Sequence, residues 1–183
     1  MKLDRNKAIL VVIDVQERML PVIDRAAVVV SNVGRLIRGS HILGVPVILT
    51  EQYTKGLGPT VESIRNVLRE SGGYEPIEKS CFSAHGCAAF ETRLSELDRT
   101  QILLAGVETH VCVYQTAMDL LQDEYEVTII ADAVSSRTAE NKAIALERLT
   151  SEGVKLSSTE MVLFELLVQA GTDEFRAISK LVK

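Results

Sequence analysis

The sequence predicts an α/β protein, a three-layer α-β-α sandwich around an open, six-stranded, mostly parallel sheet of Rossmann-like type. Two observations carry this expectation. The run Ala8-Ile9-Leu10-Val11-Val12-Ile13 is apolar throughout rather than alternating, as expected of a central strand covered on both faces. Strand-like runs also alternate about six times with stretches of helical periodicity, the pattern of parallel strands joined by crossover helices.

Taken in order, Asp14 ends the first strand and Pro21 breaks the turn after it. Val29, Val33, Leu36 and Ile37 recur at helical spacing from about Arg25 to Leu43, and Gly44 stops that helix. Val45–Leu49 is a second strand, with Pro46 acceptable near its start. Glu51 to Gly58 is expected as a loop, and Pro59 suits the first position of a helix striped by Val61, Ile64 and Leu68. Gly72-Gly73 ends that helix, and Glu75 to Glu78 is a short strand followed by Lys79. A helix over Gly86 to Leu97 leads to a strand over Gln101 to Ala105 and a helix over Val111 to Leu121. Val127 to Ala131 is a strand ended by Asp132. Thr138 caps a helix that runs to Ser151, and Val154 to Leu156 is the last strand. Helices over Ser158 to Gln169 and Thr172 to Lys183 close the chain.

Composition narrows the function. The 183 residues are most simply one domain, 1–183, able to bury roughly 70% of the unfolded surface. Hydrophobic content of 46% and charged content of 25% are ordinary for a soluble globular chain. A net charge of −5 gives no support for a nucleic-acid or anionic-membrane partner. The six-residue apolar run after the basic start Met1 to Lys7 is too short for a signal-peptide core or a membrane span. Three cysteines at irregular spacing are no disulfide framework and fit a reducing, cytoplasmic setting. The three histidines, at 41, 85 and 110, have no ligand spacing, so no metal is expected. No G-x-G-x-x-G follows the first strand, and Gly56-Leu57-Gly58 lacks the Lys-Ser/Thr of a phosphate loop. No cofactor is therefore expected.

In open parallel sheets, sites form beyond the carboxyl ends of the strands, at the switch in strand order. Asp14, Lys79 and Cys112 all fall just past such ends. Cys112 lies in the first turn of a helix, where the dipole and free N–H groups favour thiolate. Together with the Lys79 ammonium, these are expected to lower its pKa; two units correspond to roughly 2.7 kcal/mol. Asp14 would accept the thiol proton and hand it to the leaving group. The Cys112 N–H, with another from the turn before it, would bind an oxyanion. Each residue has a plainer alternative: a packed thiol, a turn cap, a surface lysine. Cys81 and Cys87 are rival thiols without C-x-x-C spacing, and His110 permits a Cys–His arrangement but lies only two residues from Cys112.

Three segments, Val12-Ile13-Asp14-Val15-Gln16, Lys79-Ser80-Cys81-Phe82-Ser83 and Gly106-Val107-Glu108-Thr109-His110-Val111-Cys112, resemble the signature segments of the isochorismatase-like cysteine hydrolases. Thr50-Glu51-Gln52-Tyr53, Lys55 to Thr60, Asp132-Ala133, Ser135-Ser136-Arg137 and the tail resemble the isochorismatase domain-containing branch. The resemblance implies a six-stranded parallel sheet and a catalytic triad of Asp14, Lys79 and Cys112. It also implies a cis peptide between Val107 and Glu108, which would aim the Glu108 N–H at the same oxyanion pocket as the Cys112 N–H. Members are commonly dimers or larger, and the apolar Met161 to Val168 stretch is compatible with either an interface or core. Nicotinamidases of this superfamily carry an Asp-x-His plus His metal cluster where Glu51-Gln52-Tyr53 stands. The namesake vinyl-ether hydrolases lack a cysteine at the nucleophile position. The resemblance thus leaves a metal-independent hydrolase of a small amide-like C–N bond, working through a thioester. Gln16, Tyr53 and His110 are the candidate substrate contacts. The alternative is a thiol sensor or oligomeric binding protein on the same fold.

Overall fold

Six strands, β1 (Ala8–Ile13), β2 (Val47–Gln52), β3 (Ile77–Lys79), β4 (Gln101–Val107), β5 (Glu126–Ser135) and β6 (Lys155–Ser157), pair in the order β3-β2-β1-β4-β5-β6 in the computed structural model, which describes residues 2–183. Met1, the first residue of the basic start, lies outside the described residues. All five strand pairings are parallel. The order reverses at β1, so the chain diverges on either side of Asp14, as expected for a switch-point site.

The described residues form eight α-helices, six between strands and two after β6: α1 (Ala26–Leu43), α2 (Thr54–Leu57), α3 (Glu62–Glu70), α4 (Ala88–Leu97), α5 (Tyr114–Gln122), α6 (Ala139–Ser151), α7 (Thr159–Leu167) and α8 (Asp173–Val182). The period-two alternation of a strand explains why β1 needs no polar face. Ala8, Leu10 and Val12 pack with α1, α3, α7 and α8, through residues such as Val33, Ile64, Leu163 and Ile178. Ile9, Val11 and Ile13 pack on the opposite face with Phe90 and Leu94 of α4, Leu120 of α5 and Leu149 of α6. Cys112 belongs to this second core. The Met161 to Val168 stretch is mainly core: Val162, Leu163, Leu166 and Leu167 are buried, while Met161 and Val168 are exposed.

The structure departs from the sequence pattern at the strand ends nearest the site. β2 runs through Glu51 and Gln52, which the polar composition marks as loop, and the short helix α2 follows. Lys79 is the last residue of β3 rather than the first beyond it. β5 continues past Asp132 to Ser135, with an irregular register between Leu104 and Gly106 of β4. Pro59 does not start α3. Thr60 is held extended by a bridge to Gln16 and by hydrogen bonds to Glu51, so the helix begins only at Glu62.

One glycine is dictated by close approach. Gly106 has φ of +111°, and a Cβ there would lie 2.0 Å from the carbonyl oxygen of Ile13. It lets β4 press against the end of β1, one residue before Asp14. Gly106→Ala is therefore expected to destabilise the fold by at least about 3 kcal/mol, combining a backbone clash with a disfavoured φ. Urea unfolding checks this; a midpoint within error of the parent protein would contradict the packing described.

Candidate active site

Asp14 sits immediately after β1, with φ of +51° and 1% exposure. Its Oδ1 accepts from the Thr50 hydroxyl at 2.7 Å, and its Oδ2 accepts from Lys79 Nζ at 2.7 Å. Thr50 is two residues upstream of Gln52 on β2, so both side chains project from the same face of the strand. Gln52 Oε1 accepts from Lys79 Nζ at 2.6 Å, while Gln52 Nε2 donates to the Ser80 carbonyl at 2.8 Å. The ammonium also donates to the carbonyls of Phe82 at 3.0 Å and Cys81 at 3.3 Å. The Lys79 and Asp14 side chains are 0% and 1% exposed, so this is a buried ion pair with its remaining donors engaged by neutral oxygens. Such partners are needed, because desolvating two charges is otherwise unfavourable.

The loop that supplies the two carbonyls is tied to the helix that follows the cysteine. The Ala84 N–H donates to Thr116 Oγ1 of α5 at 2.8 Å, and both residues are fully buried. Cys112 lies in a π-helical turn, Thr109–Val113, that links the end of β4 to α5. Cys112 is 6% exposed, and its thiol feels the charges of both Asp14 and Lys79. The sheet thus brings the three sequence candidates together from the ends of β1, β3 and β4. Cys81 and Cys87 are half-buried and free.

The expected low thiol pKa is not what this environment produces. Burial pushes the Cys112 thiol up to about 12, and the Asp14 carboxylate adds to the rise, outweighing the opposing pull of Lys79. The physical reason is that Lys79 already faces a full carboxylate at 2.7 Å, so the pair offers the sulfur little net positive charge. At rest Cys112 is a neutral thiol near a carboxylate.

The Val107–Glu108 peptide bond is cis, and the Glu108 carboxylate is held by the Arg137 N–H at 3.0 Å and Nε at 3.1 Å. His110 is half-buried, with Nδ1 3.0 Å from the Ser136 hydroxyl. Tyr53 is 58% exposed, its ring against Gly56 and its N–H donating to the Lys79 carbonyl at 2.9 Å. Gln16 does not have the freedom a substrate contact needs. It is fully buried; its Oε1 accepts from the Gln52 N–H at 2.7 Å, and its Nε2 donates to the carbonyls of Gln52 at 2.9 Å and Gly58 at 2.6 Å. Its role is to clamp the end of β2 beside β1. Thr50 and Gln52 are the site residues missing from the sequence-derived set. Their two-residue spacing at the end of a strand next to β1 was the available signal.

Glu51 is buried and accepts from the Thr60 N–H and hydroxyl and from the Tyr74 hydroxyl. Among the described residues no group of three or more His, Cys, Asp or Glu side chains is arranged to hold a metal ion.

Comparison with known proteins gives the same outline. The Isochorismatase domain family matches residues 8–161. The chain is 40% identical to Isochorismatase domain-containing protein 2 of Danio rerio, over 99% of this chain and 89% of that one. It is 36% identical to the secreted isochorismatase effector Isc1 of Phytophthora sojae, over 97% and 85% of the two chains. A solved Caenorhabditis elegans structure described as MAR1 ribonuclease superposes with a TM-score of 0.90, at 32% identity, covering 100% of this chain and 92% of that one.

The raised thiol makes a pH prediction. A thiol whose pKa is higher in the folded state stabilises the fold below its ordinary range near 8.5, and that contribution is lost as pH climbs toward about 12. In the folded protein, iodoacetamide is expected to alkylate Cys112 at pH 7.5 at least about a hundredfold more slowly than an unhindered cysteine, with the rate still climbing above pH 10. Site-resolved peptide mass spectrometry reads this. A rate that levels off below pH 8 would overturn the electrostatic description.

Proposed function

The chain belongs to the isochorismatase family, and on that premise we propose that it is a metal-independent cysteine hydrolase acting on a small amide-like C–N bond. The observation that carries the proposal is the buried Asp14–Lys79 pair beside the Cys112 thiol.

As the Cys112 sulfur attacks the substrate carbonyl, its proton passes to Asp14. Deprotonation accompanies attack, because the thiol is neutral at rest. Lys79 stays protonated and balances charge as the proton moves. The backbone N–H groups of Glu108 and Cys112 are the proposed donors to the tetrahedral oxyanion. Asp14 then gives the proton to the departing nitrogen, the C–N bond breaks, and a thioester remains on Cys112. Water adds to the thioester with Asp14 again taking the proton, releasing the acid and restoring the thiol. Tyr53 and His110 flank this end of the sheet and are the proposed substrate contacts.

A low-pKa, accessible thiol is what a redox sensor needs. Cys112 is buried and raised, which favours the hydrolase over the sensor. The ribonuclease description belongs to the Caenorhabditis elegans protein. For this chain a net charge of −5 favours a small substrate over a polyanion. No helix among the described residues is long and apolar enough to cross a membrane. A cytoplasmic setting is proposed from the three free cysteines, and a homo-oligomer from the exposed Met161 and Val168.

Screening small primary amides and N-carbamoyl compounds tests the reading. Cys112→Ala is expected to abolish turnover, and Asp14→Asn to lower kcat by about 100- to 10,000-fold, the range for a lost acid–base group. Undiminished hydrolysis in purified Cys112→Ala protein would sink the mechanism.

A further inference from the structure

Lys79 has one charged partner and three neutral ones. Two of the neutral partners are backbone carbonyls, Cys81 and Phe82, which the fold supplies whatever the side chains there. The third is a side chain, Gln52, and it is the shortest of the four contacts at 2.6 Å. Gln52 is 8% exposed, and both ends of its amide are engaged, Oε1 by the ammonium and Nε2 by the Ser80 carbonyl. Its backbone is clamped on both sides by Gln16. A side chain held this firmly, one contact away from an ion pair next to the candidate nucleophile, fixes where the ammonium points.

The chemical type is as informative as the position. A glutamate has the same length and would also accept from Lys79. It would put a second carboxylate into a buried site that now holds one positive and one negative charge. That extra charge would draw the ammonium away from Asp14 and add negative potential around the sulfur. A glutamine accepts the hydrogen bond without doing either.

We propose that Gln52 is a positioning residue: as a neutral acceptor it holds the Lys79 ammonium between Asp14 and the Cys112 sulfur, leaving Asp14 as the sole carboxylate on Lys79. This rests on the roles proposed for Asp14, Lys79 and Cys112. Gln52 acts through Lys79 and needs no contact with substrate.

The test is the rate of Cys112 alkylation by iodoacetamide at pH 8.5, resolved by peptide mass spectrometry, with Cys81 and Cys87 as internal references. Gln52→Glu is expected to slow Cys112 by at least about tenfold, one pKa unit's worth of lost thiolate, with the references unchanged. Gln52→Leu removes both hydrogen bonds without adding charge and is expected to slow it by about threefold, because the freed ammonium spends less time near the sulfur. A merely structural role gives the opposite sign, since loosening the site exposes a buried thiol and speeds its alkylation. Either variant, folded by circular dichroism and alkylated at the parent rate or faster, overturns the proposal. If Gln52→Glu does not fold, Gln52→Leu decides alone. Failure of both to fold also overturns it, because Gln52 would then be serving stability. These outcomes bear on Gln52 only; turnover surviving in Cys112→Ala would remove the hydrolase reading whatever the alkylation rates.

Discussion

The structure depends on one buried contact, the 2.7 Å ion pair between Lys79 and Asp14. Two charges with essentially no exposure are tolerated only if every remaining donor and acceptor is met. The carboxylate is completed by Thr50, and the ammonium by Gln52 and the carbonyls of Cys81 and Phe82. These groups come from β1, β2, β3 and the loop after β3, so the pair is satisfied only when those strand ends are in register. The Gln16 clamp on Gln52 and the Thr116 anchor on the loop belong to the same requirement. Gly106 serves it from the other side, by letting β4 close against the end of β1.

That arrangement also sets the state of the sulfur. An ammonium already matched to a carboxylate supports a thiolate only in part, and the Cys112 thiol is pushed up to about 12 by burial and by Asp14. The site keeps a protonated thiol near a carboxylate, the pair proposed as nucleophile and base. In the proposed reaction, stabilisation of negative charge is then needed mainly as the proton leaves and an oxyanion forms.

Much of the fold was legible in the sequence because β1 and β4 are covered on both faces and carry continuous apolar runs. Helices with a single apolar stripe, such as α1 with Val29, Val33, Leu36 and Ile37, were equally visible. The pattern failed where strands enter the site. Glu51, Gln52, Lys79 and Ser135 all lie in strands but are polar, because strand ends that carry binding and charge cannot also advertise themselves by hydrophobicity. The meeting of Asp14, Lys79 and Cys112 was foreseen from their placement at strand ends. The direction of the thiol shift was not, because burial and the prior engagement of Lys79 are three-dimensional facts. Gln16, a candidate substrate contact, shows the same limit, because its amide is engaged by backbone groups that only the fold brings to it. Thr50 and Gln52 share one strand face, but the polar end of β2 hides that strand from the hydrophobic pattern.

In the proposed reaction this neutral thiol, with Asp14 as its base, carries the substrate as a thioester. The most direct measurement is acid quenching of the protein during turnover of an activated acyl substrate such as p-nitrophenyl acetate, followed by intact and peptide mass spectrometry. A single acyl adduct mapped to Cys112, released by neutral hydroxylamine and absent in Asp14→Asn, is expected. Steady hydrolysis with no adduct on Cys112, and with the same rate in Cys112→Ala, would contradict it.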